Sequence, residues 1–205
     1  MKKSPIERHF AFLYPDDQEI QHLLDLAVFL LNPKEKQSAP ITIAGPFEKA
    51  RELPKETAFC QKMCVLEAGH FLSDRQNTVF LRVQSRDLEN YWDKPDYPFN
   101  PHMTLYDGSD KYLAHSLLNG LNSMRLYFCF FVSKITHVRL IKGQGSLELM
   151  SKVDLSLLRP SIKLSLEDVF ALETEERIWF ALQAIKRAKY RAFKTEPDEA
   201  MRALS

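Results

Sequence analysis

Asn100-Pro101-His102-Met103-Thr104-Leu105-Tyr106-Asp107-Gly108 is the stretch on which the reading of this chain turns. Strand-forming residues lie between a proline and a glycine turn, so the segment predicts a β-strand over residues 102–106. Side chains at i and i+2 share one face of a strand. That parity sets His102, Thr104 and Tyr106 together and turns Met103 and Leu105 toward a core. An imidazole can move a proton near neutral pH, and a hydroxyl can hold a phosphoryl oxygen. A His and a Thr on one exposed strand face therefore suit phosphate chemistry.

A second segment is built alike. Ala39-Pro40-Ile41-Thr42-Ile43-Ala44-Gly45 also sets apolar residues around a central Thr and leaves into a glycine turn. By the same parity Pro40, Thr42 and Ala44 line one face, with Ile41 and Ile43 opposite. Upstream, residues 8–14 predict a first strand, stopped by Pro15. Asp16 or Asp17 then caps a helix whose apolar stripe (Ile20, Leu23, Leu24, Ala27, Leu30, Leu31) runs to Asn32-Pro33 and buries one face. Between the two motifs, residues 63–72 and 78–83 predict two strands and residues 87–92 a short helix. After the second motif, residues 111–121 predict a helix, and residues 125–132 and 135–141 two last strands. This order predicts an α+β domain over residues 1–150.

Residues 151–205 differ in character and predict a C-terminal helical extension. Ser165-x-x-Asp168 has the form of a capping box, and Ile178, Ala181, Leu182, Ile185, Ala188 and Ala192 form the stripe of a longer helix from about Thr174. Glu167, Asp168, Glu173, Glu175 and Glu176 precede Arg177, Lys186, Arg187, Lys189, Arg191 and Lys194, an order that suits the helix dipole. These helices pack on the domain or on a second copy of the chain, as a homo-oligomer. The basic end can alternatively guide a phosphate backbone.

Composition sets the outer limits. The 205 residues hold 28 Lys+Arg against 27 Asp+Glu, a net charge of +1, which excludes a polycationic coat and leaves phosphate recognition to local placement. Three cysteines predict no disulfide framework, and Cys60-x-x-x-Cys64 lacks the second pair of a zinc site. Gly143-Gln144-Gly145 lacks the strand-to-helix context and the lysine of a phosphate loop. No apolar run approaches the roughly 18 residues of a membrane span, and Met-Lys-Lys leads into no apolar signal core. A cytoplasmic protein with no membrane partner is expected.

With both motifs in order, the chain resembles the two-histidine (2H) phosphoesterase superfamily, which includes 2′-5′ RNA ligase-like proteins and cyclic nucleotide phosphodiesterases. Phe99-Asn100-Pro101-His102-Met103-Thr104-Leu105 matches the family's second His-x-Thr motif, and Thr42-Ile43-Ala44-Gly45-Pro46-Phe47 matches the residues that end its first motif and lead out of it. The likeness spans about residues 8–142. It implies a bilobal fold in which two antiparallel sheets form a central groove with helices outside. It also implies a hydrolase: a metal-independent phosphodiesterase, needing no cofactor, that acts on a 2′,3′-cyclic or 2′-5′ phosphodiester of a nucleotide or RNA end. His102 would be the acid/base, with Thr104 and Thr42 holding the phosphate.

One departure bears on that activity. Pro40 stands where the family's first histidine belongs. Loss of one proton carrier costs on the order of 100- to 10,000-fold in rate. That leaves a slow enzyme, a protein that binds a cyclic nucleotide or RNA end without turning it over, or an interaction scaffold. His9 and His70 are the histidines that can reach such a groove from a strand. His9, Ala11 and Leu13 share one face of the first strand and Phe10, Phe12 and Tyr14 the other, so one set alone can meet substrate. Arg82, between Leu81 and Val83, is either a phosphate clamp or a surface arginine, and Tyr106 either stacks on a base or packs.

Overall fold

Seven strands form one antiparallel sheet in the computed structural model, which describes residues 7–33, 38–48, 59–94, 97–141 and 166–202. They are β1 (Glu7–Leu13), β2 (Ile41–Phe47), β3 (Gln61–Leu72), β4 (Asn77–Gln84), β5 (His102–Gly108), β6 (Phe128–Val132) and β7 (Ile135–Ile141), in the spatial order β6-β3-β4-β5-β2-β1-β7. Helices α1 (Gln18–Leu31), α2 (Lys111–Ser123), α3 (Leu166–Ala171) and α4 (Thr174–Arg202) complete the architecture. The short helix expected over 87–92 is a 3-10 turn, Leu88–Tyr91, whose preceding Asp87 supplies no side-chain cap. Gly143-Gln144-Gly145, the boundary near residue 150 and Ser165 lie outside the described residues.

Most pairings in the sheet are long ladders, such as the seven-position match of β1 with β7. The middle is different: β2 and β5 meet at one paired position, Ile41 opposite Met103.

Asp17 caps α1, its Oδ1 accepting from the backbone N–H of Glu19 and Ile20 at 2.9 and 3.1 Å. Asp16 instead accepts from the N–H and hydroxyl of Ser133, tying the helix start to the β6–β7 turn. The sequence stripe on α1 implies one buried face. In the fold Leu26, Val28 and Phe29 are buried as well, at 1%, 0% and 0% exposure. The cause is α4, which lies along α1 and also packs against β6 and α2, so that α1 meets a second helix as well as the sheet. Its contact stripe is mostly alanine (Ala181, Ala184, Ala188, Ala192) with Ile178 and Ile185, and small side chains allow close helix approach. Arg191 Nε then donates to Asp17 Oδ2 at 2.9 Å, with Glu19 at 3.4 Å. The extension thus shares the core of the domain.

One expectation is corrected here. Cys64 and Cys129 face each other on β3 and β6, Cα atoms 4.1 Å apart, and form a disulfide, while Cys60 is free and exposed. The pairing results from the strand register, which brings together residues 65 positions apart in sequence. Among the described residues, no helix is long and apolar enough to cross a membrane.

Candidate functional site

The two motif strands carry the same distortion. On β5, Thr104 pairs with Phe80 and Tyr106 with Val79, which leaves Leu105 as an extra residue. On β2, Thr42 pairs with Phe12 and Ala44 with Ala11, which leaves Ile43 extra. A β-bulge inserts one residue and reverses the facing of everything after it. Each bulge exposes a carbonyl that the neighbouring ladder does not reach, and each is satisfied from outside. The Asp93 N–H donates to Ile43 O at 2.9 Å, and Asn32 Nδ2 donates to Leu105 O at 2.7 Å. Asn32 Oδ1 also accepts from the Asp107 N–H at 3.2 Å, so one buried side chain brackets the β5 bulge.

These bulges correct the face of Tyr106. Simple alternation sets it beside His102, but the extra Leu105 turns it to the helix side. There it is 6% exposed, its hydroxyl accepting from the Asp110 N–H at 2.9 Å. It packs rather than presenting a ring to solvent. Ala44 is turned inward in the same way and is fully buried.

His102 and Thr104 remain on the face away from the helices, half-buried, with Met103 and Leu105 in the core. Arg82 is directly opposite His102 on β4, between the buried Leu81 and Val83, so it lies on that same face. Its Nη1 donates to Glu67 Oε1 at 2.9 Å, which offsets its charge at the surface. Across the middle of the sheet, the pairing of Ile41 with Met103 carries Thr42 to a place opposite His102, and Pro40 to one opposite Thr104. The geometry is that of a pseudo-two-fold relation through the Ile41–Met103 pair. It exchanges Thr42 with Thr104, the Ile43 bulge with the Leu105 bulge, and Pro40 with His102.

His102 is held firmly. Its Nδ1 lies 2.6 Å from the Asn100 carbonyl, and a carbonyl can only accept, so the ring nitrogen there carries the proton and the lone pair falls on Nε2. The ring rests on Phe80 at 4.7 Å and faces the edge of Phe71 at 6.4 Å. Phe80 fits because Gly69 lies opposite it on β3. A Cβ at Gly69 would come within 2.3 Å of the Phe80 ring.

The other five histidines are elsewhere. His9 shares its face of β1 with Ala11 and Leu13, the buried set, while Phe12 pairs with Thr42 on the opposite face. The expectation of His9 as a substrate contact is corrected by this parity. His70 pairs with Val79, and His137 with Ala11, both on the helix side. His22 and His115 are on α1 and α2. Of the six histidines, His102 alone stands on the face of Thr42 and Thr104.

The segment leading into Pro40 is tied to α1 by a group that sequence reasoning missed. Asp25 Oδ1 accepts from the Ala39 N–H at 3.0 Å and from Gln21 Nε2 at 2.8 Å. Burial pushes its carboxyl up to about 6, against the opposing effects of the Gln21 and Ala39 hydrogen bonds and the nearby His22. Gln21 Oε1 is buried and accepts no hydrogen bond from the described residues. Burial likewise raises the Tyr14 phenol, which hydrogen-bonds Ser38. An Asp placed inside an apolar helix stripe is the only signal of this cluster in the sequence. Among the described residues, no trio of His, Cys, Asp or Glu comes close enough to hold a metal ion.

No protein-family model matches the chain, and neither a curated protein nor a solved structure matches it.

Proposed function

We propose that His102, Thr104 and Thr42 form a one-histidine site of the 2H type for a 2′,3′-cyclic or 2′-5′ phosphodiester of a nucleotide or RNA end. On this reading the two wings of the sheet, joined at Ile41 and Met103, are the two lobes of the 2H fold, with the phosphate between them. The observation that carries it is the pseudo-two-fold placement of the two Thr-bulge motifs about that junction, with His102 on the shared face.

The chemistry assigned to these residues is hydrolysis. His102 Nε2 takes a proton from water, whose oxygen attacks phosphorus, while the threonine hydroxyls donate to the non-bridging oxygens. The P–O bond to one ribose oxygen breaks, giving a phosphomonoester. In the absence of a second histidine the leaving oxygen takes its proton from solvent, a slower route by on the order of 100- to 10,000-fold.

Pro40 favours a second reading, a site that binds such a phosphate without turning it over. A metal-free turnover assay on 2′,3′-cyclic nucleotides and 2′-5′ dinucleotides separates the two. Slow hydrolysis that vanishes in His102→Ala, and rises about 100-fold or more in Pro40→His, is the expected result. Undiminished turnover in His102→Ala would sink the assignment. Binding without product in the wild type would select the second reading.

A further inference from the structure

Tyr190 and Phe193 are 63% and 45% exposed in the second half of α4, one turn apart on the same side of the helix. They line a recess of about 400 Å³ between α4 and the end of α2, whose rim carries Arg125, Lys186 and Lys189. Lys189 Nζ donates to the Arg125 carbonyl and stands 5.8 Å from the Phe193 ring, and Lys194 Nζ stands 4.8 Å from the Tyr190 ring. From Lys186 to Lys194 the chain holds cations and no acid. Arg191 is neutralised by Asp17 and Glu19, whereas Arg125, Lys186 and Arg187 have no acidic partner among the described residues.

The chemistry of the patch narrows its occupant. A membrane surface would take the apolar face of an amphipathic helix, but that face of α4 is buried against α1. A second copy meeting the patch symmetrically would set these cations against themselves. An acidic peptide would answer the charges and leave two flat rings unused. A single nucleic-acid strand uses both, its phosphates meeting cations and its bases stacking on exposed aromatic faces.

We propose that this recess binds a segment of single-stranded nucleic acid, with bases on Tyr190 and Phe193 and phosphates at Arg125, Lys186 and Arg187. It lies in the helix layer, on the other side of the sheet from His102, and does not depend on the chemistry proposed for that residue. The test is fluorescence anisotropy of a labelled ten-nucleotide oligouridylate with the full chain at several salt concentrations. Binding is expected to weaken with salt, and Tyr190→Ala to weaken it by a further factor of roughly 5 to 100. Arg125→Gln with Lys186→Gln should reduce the salt slope by about 1.4. The proposal is overturned if the oligonucleotide does not bind or if these substitutions leave binding unchanged. Equal competition by polyglutamate or by anionic phospholipid vesicles would overturn it too.

Discussion

Gly69 fixes His102 from two strands away. Phe80 occupies the space where a Gly69 Cβ would be, and the His102 ring rests on Phe80. Gly69→Ala must push that ring aside, and overpacking of this kind costs about 1–3 kcal/mol. A lowered urea midpoint together with a shifted His102 ring resonance would register both effects. Asp25 supplies a prediction with a sign. Its carboxyl titrates at about 6 in the fold, against 3.8 ordinarily, so between those values the folded protein binds a proton that the unfolded chain does not. Stability from this group therefore rises as pH falls from 7 to 4, by on the order of 2–3 kcal/mol. Asp25→Asn keeps the acceptor for Ala39 and can donate to the buried Gln21 Oε1. It is expected to raise the Tm at pH 7 and to remove this component of the pH dependence, read as the difference between variant and wild-type melting curves. At this scale His102, Thr104 and Arg82 were legible, because strand parity holds up to Thr104. Tyr106 was not, because one inserted residue reverses parity and nothing in Thr104-Leu105-Tyr106 announces the insertion.

Among the elements, Asn32 joins α1 to β5. Its amide donates to the Val28 and Leu105 carbonyls in the interior and accepts from the part-buried Asp107 N–H. Asn32→Ala would leave buried backbone groups without partners, at a cost of about 2–4 kcal/mol. Chemical denaturation should record that loss, and faster amide exchange at Asp107 should localise it. As Asn-Pro after an apolar run, Asn32 reads in sequence as a helix stop; that it also holds a strand 73 residues away depends on packing that no local pattern encodes. Element positions were legible almost throughout, from β1 to the start of α4. Sheet order was not. The pairings of β1 with β7 and β3 with β6 bridge long stretches of chain, and hydrophobic alternation fixes which face of a strand is buried without naming its neighbour.

Across the whole molecule, α4 packs along α1 and also against α2 and β6, so α1 is covered by a second helix as well as by the sheet. An unbroken apolar run from Leu26 to Leu31 is what a helix covered on more than one side requires, so the cover beyond the sheet was foreshadowed in α1 itself. A chain ended at residue 165 loses that cover. It is expected to bind a hydrophobic dye and to elute as aggregate in size-exclusion chromatography; a soluble, dye-silent monomer would show that α4 is dispensable.

The same arrangement sets a timetable for synthesis. A ribosome adding about 5–20 residues per second makes α1 early and reaches α4 roughly 7–30 s later. Throughout that interval the apolar surface of α1 that α4 will cover has no partner within its own chain, and β1 also waits for β7. The nascent protein therefore carries exposed apolar surface until its last helix emerges, however stable the finished fold.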